Sequence, residues 1–223
     1  MTTSLFQAVN RYAEAHARQG SVVQTPIPGL STVRATEPSG LLHAIAQPLV
    51  CLVLQGSKQV AMGARTFEFS AGESLLITAD VPTVSQITRA SAAAPYLSIA
   101  LELSLPVIAD LSAQMGVVPR GDHAPVHVDP TDAEVADVAL RLMRLLERPE
   151  AVPLLHASLV RELHYWLLAG RHGAAIRRLG WPGSHAQRVA RAVAVLRADF
   201  AQPLPVESLA ALAGMSPSSF HQH

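Results

Sequence analysis

Histidines, a single cysteine and scattered carboxylates are the residues that could do chemistry here, and their spacing removes most of the options. A metal centre built on a strand needs two histidines one residue apart, because alternation then aims both at one face. The only such pair is His221 and His223. They fall in a helical pattern, where two residues turn through about 200° and the rings diverge. His123 and His127 flank Pro125 in a loop pattern, and His156 and His164 stand too far apart on one helical stretch to share an ion. No Gly-x-Ser-x-Gly turn, phosphate loop or dinucleotide fingerprint occurs. Cys51 lies in the apolar run Leu49–Leu54 and reads as a small buried hydrophobe. His43 is a lone histidine among strands, either a loop or core residue or one lining a binding pocket. The sequence therefore assigns no catalytic residue, no cofactor and no metal.

Composition narrows the class. The 223 residues carry 49% hydrophobic and 15% charged side chains, which suits a folded chain of one domain plus a smaller one. With one cysteine no intrachain disulfide can form, and the chain suits a reducing compartment. The longest apolar stretch, Ala92 to Leu111, is broken by Glu102, Pro106 and Asp110 and does not read as a membrane span. The reading is a cytoplasmic protein. The formal net charge is zero, so no global field draws the chain to nucleic acid.

The elements come next. Residues 4–18 carry Leu5, Val9, Tyr12, Ala13 and His16 at helical spacing. From about residue 21 to 103 the texture changes to short β-branched or apolar runs punctuated by Gly and Pro. Eight strands are expected: Ser21–Thr25, Leu30–Thr36, Leu49–Gln55, Lys58–Met62, Thr66–Phe69, Ser74–Thr78, Val84–Thr88 and Tyr96–Leu103. Strands so spaced imply a sandwich or barrel. Alternation pairs Cys51, Val53 and Gln55 against Leu52 and Leu54, without saying which set is inside. After Ser104 the period becomes helical: Leu105–Met115, Thr131–Glu147 with a capping box from Thr131 to Glu134, and a stripe of Leu155, Leu159, Leu163, Trp166 and Leu167 ending near Gly170. Gly, Pro and Gly near residue 180 mark a boundary, after which Val189, Val193, Leu196 and Phe200 stripe another helix.

The last stretch carries the most specific signal. Leu209 and Ala213 face inward from a short helix, and Ala210 is small where two helices would cross. Gly214 can take the left-handed conformation that redirects the chain, with Met215 beneath it. Ser216 suits an N-cap, Pro217 the first helical position, and Phe220 the buried side of the next helix. This is the packing that a helix-turn-helix needs.

From about residue 180 onward the chain resembles the start of an AraC/XylS-type DNA-binding domain, through "RVARAVAVLRADFAQPLPVESLAALAGMSPSSFHQH". Upstream, "LVCLVLQGSKQVAMGARTFEFSAGESLLI", "PYLSIALEL" and "VRELHYWLLAG" resemble the cupin-like sensor domain of one subgroup of that family. The resemblance implies a homodimeric transcription regulator whose barrel binds a small effector and whose C-terminal domain binds promoter DNA, with RNA polymerase a further partner. Cupin barrels are often metal enzymes. Here Pro48–Lys58 contains no histidine, and Leu75 stands where a later ligand would be.

The expected fold is α+β: an N-terminal helix over 1–19, a cupin-like barrel over 20–103, a helical connector and dimerisation region over 104–180, and a helix-turn-helix domain over 181–223 that stops inside its first recognition helix. Ser216, Ser218, Ser219 and Gln222 are the expected DNA contacts, and Leu209, Ala210, Gly214, Met215 and Phe220 the packing set. His43, Gln55 and Gln59 are the expected effector contacts. From Ser184 on, Arg188, Arg191 and Arg197 face Asp199 and Glu207, a formal +1 that releases few counterions. A sensor that binds effector or pairs with other regulators without touching DNA is thus the alternative, and a barrel metalloenzyme the more distant one.

Overall fold

Strand β4 (Leu49–Gln55) is apolar at every position up to Leu54, so both of its faces must be covered. It lies inside a six-stranded sheet whose order is β1 (Val22–Gln24), β2 (Leu30–Ala35), β9 (Tyr96–Glu102), β4, β7 (Glu73–Ile77) and β10 (Val126–Pro130). A second sheet runs β3 (Leu42–Ala46), β8 (Val81–Arg89), β5 (Ser57–Met62) and β6 (Arg65–Ser70). Every neighbouring pair in both sheets is antiparallel. The computed structural model describes residues 3–16, 20–116, 124–180, 192, 193, 195, 205–216 and 218.

Alternation sends Cys51 and Val53 toward the second sheet, where they join Val60, Phe69, Leu75, Ile77, Ile87 and Tyr96 in an intersheet core. Val50 and Leu52 point the other way, into a core shared with α1 (Leu5–Ala15), α2 (Leu105–Gln114), α3 (Ala133–Leu145) and α4 (Val152–Ala169). The expected barrel is not closed. Strand β6 approaches β4, β7 and β10 on one side. On the other side β1 and β3 are edge strands. There Val22 and Leu42, both on inward-facing register positions, are 51% and 61% exposed.

Several sequence expectations are corrected. Strands β3 and β10 lie outside the eight expected. The first is almost wholly exposed, leaving no apolar alternation to read, and the second carries His127, Asp129 and Pro130. Asp132, not Thr131, caps α3, accepting the N–H groups of Glu134 and Val135. Thr131 is still held by the sheet, its N–H bonded to the Gly72 carbonyl at 2.9 Å. Gln55 leaves the face of Cys51 and Val53 at a bulge that sets it opposite Leu97, a residue of the helix-side core. A short helix, α5 (Gly173–Leu179), follows α4.

The connector is fastened at specific points. His164 of α4 is fully buried, and its Nε2 accepts the N–H of Ser104, which joins β9 to α2, at 2.9 Å. Its Nδ1 faces the Val160 carbonyl at 2.7 Å, so the neutral ring donates there. Arg141 of α3 grips Glu162 of α4 through two bonds of 2.8 and 2.5 Å, which lower the Glu162 pKa and keep both groups charged. Arg177 of α5, almost buried, donates to the Gly116 carbonyl just beyond the end of α2, at 2.5 Å.

Two outcomes follow from this packing. Gly56 links β4 to β5 with φ +79, and a Cβ there would run into the Arg89 carbonyl and the Tyr96 backbone. Gly56→Ala should therefore cost about 2–4 kcal/mol in urea unfolding, and a loss below about 0.5 kcal/mol would contradict the packing described. Burial lowers the His164 pKa, with the Val160 carbonyl pulling weakly upward. The unfolded chain therefore takes up this proton first as pH falls through about 6.5. The His164 contribution is present above that pH and is lost below it, toward the folded pKa. Between pH 7.5 and 5 the melting temperature should drop less in His164→Gln than in the parent protein.

Candidate functional site

Two places stand out in this fold: the polar group in the core between the sheets, and the turn at Gly214.

Between the sheets the lining is apolar except for a small polar group. Tyr96 and Ser98 alternate onto the inner face of β9 and are both 0% exposed. The Tyr96 Oη and Ser98 Oγ have at most one another and the Cys51 thiol as partners, with no hydrogen bond of ordinary geometry. Buried hydroxyls so poorly satisfied cost stability, which makes this group the polar exception in an apolar core. Cys51 lies beside them on β4, its thiol pKa pushed up by burial and drawn partly back by Lys58. Burial likewise raises the Tyr96 phenol. Lys58, the only lysine of the chain, pairs across β5 with Phe69 and Ile87, both in the intersheet core, and so shares their face. The arrangement sets one cation and two hydroxyls on the inner faces of the sheets, whose edge strands on one side are β1 and β3.

The expected effector residues fall elsewhere. His43 pairs with Val84 and Gln59 with Gln86, on register positions facing away from the intersheet core. Gln59 Nε2 donates to Gln86 Oε1 at 3.1 Å. Gln55, half-buried, lies at the bulge. The structure brings none of the three into contact with the Tyr96 group. Tyr96 and Ser98 share one parity of the apolar strand β9, and Lys58 shares that of Val60 and Met62 on β5, but which parity faces inward depends on the second sheet.

At the C-terminal end, helix α6 (Val206–Leu212) packs Leu209 and Ala213 against Ala192, with Met215 covering them. Ala210 is buried as well. The helix ends as the sequence expects. Gly214 has φ +60, its N–H bonds the Ala211 carbonyl, and the Met215 N–H reaches back to the Ala210 carbonyl, both at 2.9 Å. This is the paired reverse-bond cap that redirects a chain after a helix. Ser216 is exposed, and Ser218 is helical and exposed. Ser219, Phe220 and Gln222 lie outside the described residues, so the second helix and the Phe220 contact stay expectations.

Among the described residues no group of three His, Cys, Asp or Glu side chains is placed to hold a metal ion. None of their helices is long and apolar enough to cross a membrane.

Residues 26–175 match the family described as the AraC-type transcriptional regulator N-terminus. The chain belongs to the AraC-type transcriptional regulators. Among solved structures, this AraC-type chain is similar to an apo variant of ToxT from Vibrio cholerae, with a TM-score of 0.63 and 5% identity, covering 89% of this chain and 75% of that one. It is also similar to the AraC-like transcriptional activator CuxR, with a TM-score of 0.45, 14% identity, and coverage of 88% and 70%. A cupin-2 domain containing protein from Shewanella frigidimarina matches 45% of this chain and all of its own length, with a TM-score of 0.30 and 13% identity. At so low an identity the ToxT likeness shows the fold alone. No curated protein matches the chain.

The Gly214 turn generates its own test. In this AraC-type chain, Gly214→Ala should cost about 1–2 kcal/mol, because a Cβ penalises the left-handed backbone. Amide exchange should rise at Ala213, Gly214 and Met215 and leave the two sheets unchanged. Equal exchange in both proteins would show that the turn is not held as described.

Proposed function

We propose that this protein is a transcription regulator that takes a small effector between its two sheets and reads promoter DNA through the segment beyond Gly214. The observation that carries the reading is the buried polar group of Tyr96, Ser98 and Cys51, on the same intersheet side as Lys58, in a chain of the AraC-type family. Such a site suits a small molecule with oxygen acceptors, one held by the Lys58 ammonium and others by the hydroxyls. It enters along the open β1–β3 edge.

On DNA, Ser216 caps the recognition helix beside a phosphate, and Ser218, Ser219 and Gln222 lie nearest base edges and backbone. The regulator works as a homodimer in the cytoplasm, alongside RNA polymerase. Leu154, Leu155 and Tyr165 leave an apolar face of α4 at 77%, 52% and 41% exposure, and this face supports self-association. Coupling is by linkage: an effector that prefers one arrangement of sheets and connector shifts the population able to bind DNA. The near-neutral charge supports a second reading, a sensor that acts without DNA contact.

Selection of the purified protein against a randomised duplex library separates the two. The regulator is expected to enrich a recurring sequence, with affinity falling as salt rises, and Ser218→Asp should weaken that binding about tenfold by setting a carboxylate among phosphates. No enriched sequence, from protein that is folded and dimeric, would favour the sensor reading.

A further inference from the structure

A cavity lies on the helix-side face of the large sheet. It holds about 250 Å³ between β4, β7, β10 and the helices of the connector. Val50 and Leu76 form its floor, and Val135, Trp166 and Ile176 its apolar walls. The polar rim is His172 and Arg171 before α5, Asp129 of β10, and Asp132 at the head of α3. His127 of β10 stacks on His172, with ring centroids 3.9 Å apart.

Asp129 is engaged at both oxygens and Asp132 at one. Asp129 uses one oxygen on Arg171 at 3.0 Å and the other on His172 at 2.6 Å. Asp132 uses Oδ1 for the N–H groups of Glu134 and Val135 at the start of a helix, where a negative charge is favoured. An anionic guest would face the Asp129 and Asp132 carboxylates, and a cationic one would give up its hydration for the single Asp132 oxygen left free. An uncharged guest breaks nothing. It can lay an apolar body on Val50, Leu76 and Trp166, and donate one hydroxyl to the second Asp132 oxygen, which neither backbone bond uses. Size agrees: a dry cavity of about 150 Å³ accepts a benzene ring, so this one has room for a ring plus one polar group.

We infer that this cavity, bounded by Asp129, Asp132 and Trp166, is a second binding site, for a small uncharged molecule with an apolar ring and one hydroxyl. Its occupancy bears on the Asp129 ties, which join the last strand of the sheet to α5. The site shares no named residue with the Tyr96–Ser98 group, and its test does not involve DNA.

Trp166 and Trp181 are the only tryptophans, so Trp181→Phe leaves Trp166 as the reporter. Cyclohexylmethanol should shift or quench its emission saturably, with a Kd of about 1 mM or lower. Cyclohexanecarboxylate and cyclohexylmethylammonium, with the same ring, should bind at least tenfold more weakly. Val135→Phe fills the space and should abolish the response. Ser74→Leu, on the sheet floor beside Leu76, should do the same if Val135→Phe melts early. The inference is overturned if cyclohexylmethanol gives no saturable change, if either charged congener binds equally well, or if a folded filling variant responds like the parent.

Discussion

A sheet that is apolar on both faces is the constraint on which everything else rests. Strand β4 offers Val50 and Leu52 to one side and Cys51 and Val53 to the other, and all four are buried. The second sheet covers one side and the helices the other, so helices α2 to α5 are part of the same fold rather than an appended linker. A change felt in the intersheet space is therefore one strand thickness away from the connector. The two cores share their central strands, and interiors this well packed pass a displacement on instead of absorbing it.

The ties between sheet and connector are polar and few, which makes them places where the arrangement can shift. His164 accepts from Ser104, where the sheet hands over to α2. Asp129 holds Arg171 and His172, where α4 hands over to α5. Arg177 then fastens α5 to the end of α2. The first two ties join the large sheet or its exit to the helices, and the third joins two of the helices. Surface ion pairs contribute little to stability; their value here is in fixing register between parts that apolar packing alone would let slide.

Much of this was legible in the residues. The strands with apolar alternation, from β4 to β9, and the stripe of α4 fell where the pattern put them, and Gly214 adopts the conformation its position required. What was missed has physical causes. Strand β3 is exposed and carries no core stripe. Strand β10 is paired only through long-range contact with β7, which no local pattern announces. The parity question at β4 could not be answered without knowing which layer lay on which side, and the bulge then moved Gln55 off the face that simple alternation gave it. His43 and Gln59 drew notice as polar residues near turns, yet register places them outward. Lys58, Tyr96 and Ser98 have the better claim, because a polar side chain at an inward position is the more informative exception.

Gene control through the segment past Gly214 is the central claim, and residue-resolved NMR of the isotopically labelled protein on adding a duplex drawn from the selected sequences tests it most directly. The account predicts amide shifts concentrated at Ser216, Ser218, Ser219 and Gln222, with smaller changes in α6 and few on the outer face of the four-stranded sheet. Shifts scattered over the sheets and absent beyond Gly214 would contradict it.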